Sequence, residues 1–314
     1  MNTAPPRPQK QTTERKKARR RVSQARRDRR AAFIVGILTA AIVVAIVWLA
    51  VSASAKRVRY TPPPETTVPD SVRHMGYDVT FYPDLPVNEL DPEAFVTDPK
   101  TGYILYDDGV TMSETGIDVS QHQGEIDWKK VAACGVKFAF LRIGYRGSTE
   151  GLLYPDERFE EYYAGARAAD IQVGVYFYSQ AVTVYEASRE ADYVLELLHD
   201  RKLDLPVVMD WEFADIGDGR TDTIDSELLT GICQAFCQRI RRDGYQTAVY
   251  FNKNIGYEHY DLDELSDYAF WIADYNETPH FYYAHEYWQY TDAGGVDGIA
   301  EPVDMDLRFV RKKP

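Results

Sequence analysis

The hydrophobic pattern changes period along the chain, and each change marks an element. Residues 31–51 read AAFIVGILTAAIVVAIVWLAV, an apolar run without a single charge. A run of about 20 such residues is long enough to cross a bilayer core as a helix. From Thr115 onward, short apolar runs alternate with segments of helical spacing. Strands are predicted at 116–120, 137–143, 172–178, 205–211 and 246–251. Between the first two, Trp128, Val131 and Ala132 keep an i, i+3, i+4 spacing behind Asp127, a candidate cap, and Gly135 follows. The same spacing recurs at Phe159, Tyr162, Tyr163 and Ala166, and at Ala187, Ala191, Val194, Leu195 and Leu198. It recurs once more at Leu228, Ile232, Phe236 and Ile240, behind a cap at Asp225 and ahead of Gly244. Three further strands are predicted at 269–273, 286–290 and 305–310, with connections too short for full helices.

Strands alternating with helices imply parallel strands joined by crossovers. The fold class is therefore α/β. Eight strands between residues 116 and 310 predict a TIM-like β/α barrel with a degenerate last third. A doubly wound open sheet is the competing arrangement, but no Gly-rich phosphate loop follows the first strand.

Charge divides the chain further. The first 30 residues carry 12 Lys/Arg against 2 Asp/Glu, whereas the rest carries 24 against 47. An acidic body argues against nucleic-acid binding. A basic head before an uncharged span reads as topology: the N-terminus is cytoplasmic and everything after residue 55 lies outside. The apolar run exceeds the length of a signal-peptide core, although Ala53-Ser54-Ala55 resembles a cleavage site. Four regions follow: a basic cytoplasmic tail (1–30), one transmembrane helix (31–55), an extracytoplasmic stalk and N-terminal extension (56–113), and a barrel domain (114–314). The Pro/Thr-rich stretch YTPPPETTVP at 60–69 suits an extended spacer. YILY at 103–106, after the turn-forming DPKTG, reads as a short strand that packs on the main domain.

Acidic residues recur where the predicted strands end: Asp118, Asp210 with Glu212, Asp274, and Asp304 with Asp306. In a barrel such positions line one mouth. Residues two apart on a strand share a face, so Asp210 and Glu212 point into the same cleft. Neighbouring carboxyls raise each other's proton affinity, and one then stays protonated near neutral pH. Glycoside hydrolysis needs that pairing, with one acid for the leaving oxygen and one carboxylate for the cationic sugar ring. Aromatic residues are placed around the same mouth: Tyr145, Tyr178, Tyr250, Trp271, Tyr275, Trp288 and Tyr290. Gln289 is a candidate for a hydrogen bond to sugar, and Asp274 for a substrate contact. Trp128 and Trp211 are assigned to the core, and so are Cys233 and Cys237. The six His show no zinc-motif spacing and no Ser-His-Asp arrangement. No metal or cofactor is expected.

Taken in order, GIDVSQHQG (116–124), IDWKKVAACGVKFAFLRIGYRG (126–147), VGVYFYSQA (173–181), LPVVMDWE (205–212), TAVYFNKN (247–254), FWIADY (270–275) and YWQYTDAGGVDGIAEPVDMDLRF (287–309) resemble glycoside hydrolase family 25, the Chalaropsis-type lysozymes. The resemblance implies a flattened barrel with fewer helices than strands. It also implies cleavage of the β-1,4 bond between N-acetylmuramic acid and N-acetylglucosamine in peptidoglycan. Carried over by motif, Glu212 is the general acid, and Asp118, Asp210 and Asp304 are supporting carboxylates, with Asp118 holding the acid in place. The partners expected are peptidoglycan glycan strands and, through residues 31–55, membrane lipid. Two alternatives are a chitinase-like hydrolase and a non-catalytic wall-binding protein on the same fold. The first lacks its acidic run, since residues 205–209 read LPVVM; the second would have lost a catalytic acid, and none is lost.

Overall fold

A computed structural model describes residues 72–312, apart from 75, 76, 215, 218 and 223. The expected basic tail, membrane span and first part of the stalk, through residue 71, lie outside the described residues. Among the described residues no helix is long and apolar enough to cross a membrane. All of them belong to the second of two compact units, Pro64–Pro314.

Two small hairpins come first, β1 (Val72–His74) with β2 (Tyr77–Val79), and β3 (Phe95–Thr97) with β4 (Ile104–Tyr106). The main body follows as β5 (Thr111–Val119), α1 (Trp128–Ala133), β6 (Phe138–Arg146), β7 (Leu153–Pro155), α2 (Phe159–Ala168), β8 (Gln172–Ser179), α3 (Val184–Leu198), β9 (Val207–Trp211), α4 (Ser226–Arg242), β10 (Thr247–Asn252), α5 (Lys253–Glu258), β11 (Ala269–Ala273), β12 (Tyr287–Gly294) and β13 (Val303–Arg311). The sheet runs β5-β6-β8-β9-β10-β11-β12-β13 and closes where β13 pairs with β5. Neighbours are parallel except for β13, which is antiparallel to both β12 and β5. β7 adds a short antiparallel strand outside β6. Eight barrel strands thus carry five helices among the described residues.

Four of the five described helices start where a side chain caps them; Phe159–Ala168 has no such cap. Asp127 accepts from the Lys130 N–H, Thr183 from Glu186, Asp225 from Leu228 and Asn252 from Ile255. Each cap satisfies an N–H that the first helical turn cannot. On α4 the residues Leu229, Ile232, Cys233, Phe236, Cys237 and Ile240 turn one buried face to the barrel and to α3. Gly244 takes the left-handed conformation just beyond it, at φ 89°.

Strand alternation separates two cores. Phe138, Phe140, Tyr176, Val208, Ala248, Tyr250, Trp271 and Tyr287 fill the barrel interior. Their neighbours one residue away, such as Ala139, Val207 and Ile272, pack outward under the helices. Gly116 leaves room for a ring: a Cβ there would come within 2.2 Å of Phe138. Gly174 does the same for Phe140, at 2.5 Å.

Among the described residues no helix covers the outer face of β12 and β13, and the segment before β5 takes that place. Phe95 sits edge-on to Trp288, with centroids 5.5 Å apart, and Tyr106 edge-on to Phe309 at 5.6 Å. Leu85 and Tyr103 are buried in the same core. Val87 bridges to Tyr283, and Ala284 N–H donates to the Pro86 carbonyl at 2.8 Å. Full burial of each large apolar side chain here stabilises by roughly 1.5–3 kcal/mol.

Candidate active site

On β9, Val208 and Asp210 point inward and are followed by Glu212, while Val207, Met209 and Trp211 point outward. Trp211 is fully buried, and its Nε1 donates to the Ala181 carbonyl at 2.9 Å. Asp210 lies in register with Tyr178 of β8 on one side and Tyr250 of β10 on the other. Asp118 ends β5. Asp304 opens β13 and pairs with Asp118 across the ladder. Because β13 runs backwards, its start, not its end, reaches the mouth formed by the ends of the parallel strands. The four carboxyls line one cavity of about 310 Å³.

Burial dominates their chemistry. It raises the carboxyls of Asp118, Asp210 and Asp306 well above the usual range, and Glu212 less far. Asp304 is pushed up to about 6, by burial first and then by Asp292. The carboxyls of Asp210 and Glu212 share the cavity lining, and after burial it is Glu212 that raises Asp210 most. Asp210 is the deeper of the two at 6% exposure, and Glu212 is the more open. Arg142 and the Gln289 amide work the other way, lowering Asp210 and Asp118 respectively.

Asp118 does not hold Glu212, contrary to the role the resemblance suggests. Its Oδ2 accepts from Gln289 Nε2 at 2.7 Å, and its other contact is Asp306 behind it. The partner of Glu212 is Asp210, and its backbone carbonyl accepts from Gln180 Nε2 at 2.6 Å.

Of the expected substrate contacts, Tyr178, Tyr250 and Trp271 line the cavity. Trp271 forms its floor, stacked on Phe140 with centroids 4.5 Å apart, its Nε1 bound to Asp306 at 2.9 Å. Gln289 also lines it, but its Oε1 already accepts from the hydroxyls of Tyr250 and Tyr275, each at 2.9 Å. Tyr145 stands back from the cavity wall, stacked on Tyr154 of β7. Three expectations need correction. Trp288 and Tyr290 alternate with Gln289, so they fall on the outer face of β12 and are buried against the N-terminal segment and its surroundings. Asp274 is tied to Lys253 at 2.8 Å and to the His280 N–H at 2.6 Å, outside the cavity lining. Its work is to fix the turn that presents Tyr275.

Sequence reasoning missed three groups: Arg142, Tyr176 and the structural weight of Asp306. The signal for the first was present, since Arg142 follows Phe138 and Phe140 at spacing two. Among the described residues no cluster of His, Cys, Asp or Glu side chains is arranged to hold a metal ion.

A family model for glycosyl hydrolases family 25 matches residues 117–299. The autolytic lysozyme of Clostridium acetobutylicum is 28% identical over 192 residues, covering 61% of this chain and 54% of that protein. The chain thus spans about half the length of that relative. Lysozyme M1 of Streptomyces globisporus is 27% identical over 297 residues, covering 90% of this chain and 92% of the relative. Among solved structures, the modular autolysin LytC of Streptococcus pneumoniae superposes with a TM-score of 0.56 at 23% identity, over 69% of this chain and 52% of that one. That likeness is one of fold.

Proposed function

This chain belongs to glycosyl hydrolase family 25, and from that premise we propose that it is a peptidoglycan hydrolase cleaving the β-1,4 bond between N-acetylmuramic acid and N-acetylglucosamine. The observation that carries the reading is the Asp210–Glu212 pair, set with Asp118 and Asp304 in one cavity at the mouth of the barrel. Glu212 donates its proton to the glycosidic oxygen as the bond to the anomeric carbon breaks. The cleaved sugar carries its own N-acetyl group, which favours substrate assistance over an inverting pair, whose carboxyls stand about 6.5–9.5 Å apart. Asp210 is then free to orient the N-acetyl group of the cleaved sugar. The acetamido oxygen attacks the anomeric carbon, and Asp210 and Asp304 offset the positive charge of the resulting ring. Water, deprotonated by Glu212, reopens it.

The basic head and uncharged span support an uncleaved single-pass anchor, with the N-terminus cytoplasmic and the barrel facing the cell wall. Protease added to intact protoplasts should digest the barrel and spare the tail; a protected barrel would refute this placement.

The test of the activity is digestion of purified peptidoglycan by the full-length protein, with mass spectrometry of the new reducing ends. Muramic acid at those ends is the expected result, and glucosamine ends would make the enzyme a glucosaminidase. A general acid contributes about 10²–10⁴-fold, so Glu212→Gln should nearly abolish turnover while folding normally. Activity within tenfold of wild type would remove Glu212 as the acid.

A further inference from the structure

Arg142 faces the cavity from β6 with hydrogen-bond donors that no group among the described residues uses. The inward series Phe138, Phe140, Arg142 puts it there. Asp156, whose side chain is fully buried, takes the Nε edge at 2.8 Å. Asp156 also accepts from the main-chain N–H groups of Gln121 and Arg158, each at 3.0 Å, so the guanidinium is fixed from behind. The ring of Tyr145 lies against it, with 5.1 Å from Cζ to the centroid. Among the described residues no acceptor takes Nη1 or Nη2, and no second carboxylate comes within ion-pair distance. The side chain is 12% exposed, and that exposure opens on the cavity.

A largely buried guanidinium with free donors calls for an acceptor with charge or strong dipole. Its fixed fork matches a carboxylate or an amide carbonyl better than a lone hydroxyl. The two sugars of peptidoglycan differ in one substituent, the lactyl group on muramic acid. That group ends in a carboxylate when free and in an amide carbonyl when a stem peptide is attached. Four carboxyls share the lining and Arg142 is its one Arg or Lys, so an entering lactyl carboxylate finds its charge partner there.

We propose that Arg142 is the specificity-determining residue of the site, binding the lactyl carbonyl oxygen of N-acetylmuramic acid and so separating muramyl from N-acetylglucosaminyl units. The assignment rests on the peptidoglycan hydrolase reading above and names the part of the substrate that the site recognises.

The experiment is calorimetric binding to the full-length Glu212→Gln protein, which removes turnover. Three probes are compared: the GlcNAc–MurNAc disaccharide, the same disaccharide with alanine on its lactyl group, and chitobiose. Charge-assisted hydrogen bonds of this kind correspond to a preference on the order of tenfold or more for both muramyl ligands. Adding Arg142→Gln, which keeps an N–H for Asp156 and removes the charge, should bring all three ligands to parity. Arg142→Lys, which keeps the charge and loses the fork, should fall between, and it decides the matter if the Gln variant does not fold. A muramyl preference retained in full by either variant overturns the assignment, as does an equal loss for all three ligands. A preference for the free lactyl group alone identifies the carboxylate as the group bound; a shared preference identifies the carbonyl. If Glu212→Gln binds none of the probes, the glycan reading fails together with the role of Arg142, whereas lysis by Glu212→Gln would fault the acid assignment alone.

Discussion

The side-chain amide of Gln180 donates to the main-chain carbonyl of Glu212 at 2.6 Å, so the end of β8 fixes the backbone that bears the proposed acid. Gln180 is fully buried, and its Oε1 accepts from the Thr221 hydroxyl at 3.3 Å. Arg220, one residue earlier, donates to the Gln180 carbonyl at 2.9 Å and to Glu186 at 2.7 Å. The loop after β9 is thereby clamped to the strand end.

Gln180→Ala should therefore lower kcat by about tenfold with little change in KM, because it loosens the position of an acid worth about 10²–10⁴-fold. It should also cost about 1–3 kcal/mol of stability, the usual penalty for an orphaned buried acceptor. Steady-state kinetics beside a denaturant melt would check both. A stability loss with unchanged kcat would make the clamp structural only.

Asp306 and Asp304 should respond oppositely to the same chemical change. Asp306 is fully buried, takes the Trp271 indole N–H and contacts Asp118. Burial favours its uncharged form, and an amide imitates that form while keeping an oxygen to accept from the indole. Asp306→Asn should keep activity within about threefold, whereas Asp306→Leu, which strands the indole and Asp118, should lose most of it. Asp304→Asn, removing charge beside the proposed oxocarbenium-like centre, should be severe. Equal losses for the two Asn variants would disprove this division.

A pH series tests the burial of Asp304. Its carboxyl is raised to about 6 in the folded protein, above its unfolded value near 4. The folded state therefore binds the proton more tightly, and the associated stability is present below about pH 4 and lost as pH rises through about 6. The melting temperature of wild type minus that of Asp304→Asn should fall across this window. A difference independent of pH would show that Asp304 titrates normally.

The segment before β5 should behave as part of the core, unlike the Pro-rich stretch ahead of it. Tyr106 is 2% exposed, and its hydroxyl donates to Asp108 at 2.7 Å. Tyr106→Ala should cost roughly 3–5 kcal/mol, as aromatic truncations in cores do. Deleting residues 61–69 should leave the melting temperature unchanged. Calorimetry of the two variants separates strap from spacer.

Much of the site was legible because strands impose period two. The spacing of Asp210 and Glu212 placed both at one mouth, and Gly116-Ile117-Asp118 announced a strand end. The same rule, applied to Trp288, Gln289 and Tyr290, forbids all three from facing one way; only Gln289 faces in. Arg142 was readable by that rule as well, although a lone cation in an apolar strand resembles a solvated end. The reversal of β13 was not legible, since a short connection after β12 does not fix strand direction. Nor does local sequence reveal that residues 85–106 take the place of missing helices, because that packing joins positions nearly 200 apart in the chain.

Closure of the sheet also bears on how the protein behaves when crowded. With β13 locked between β12 and β5, the nine-stranded sheet has, among the described residues, one free border, the three residues of β7. That border ends in Pro155, which has no N–H to offer. Long unpaired borders are what let sheets from separate molecules zip together into aggregates. The barrel gives such zipping almost nowhere to start.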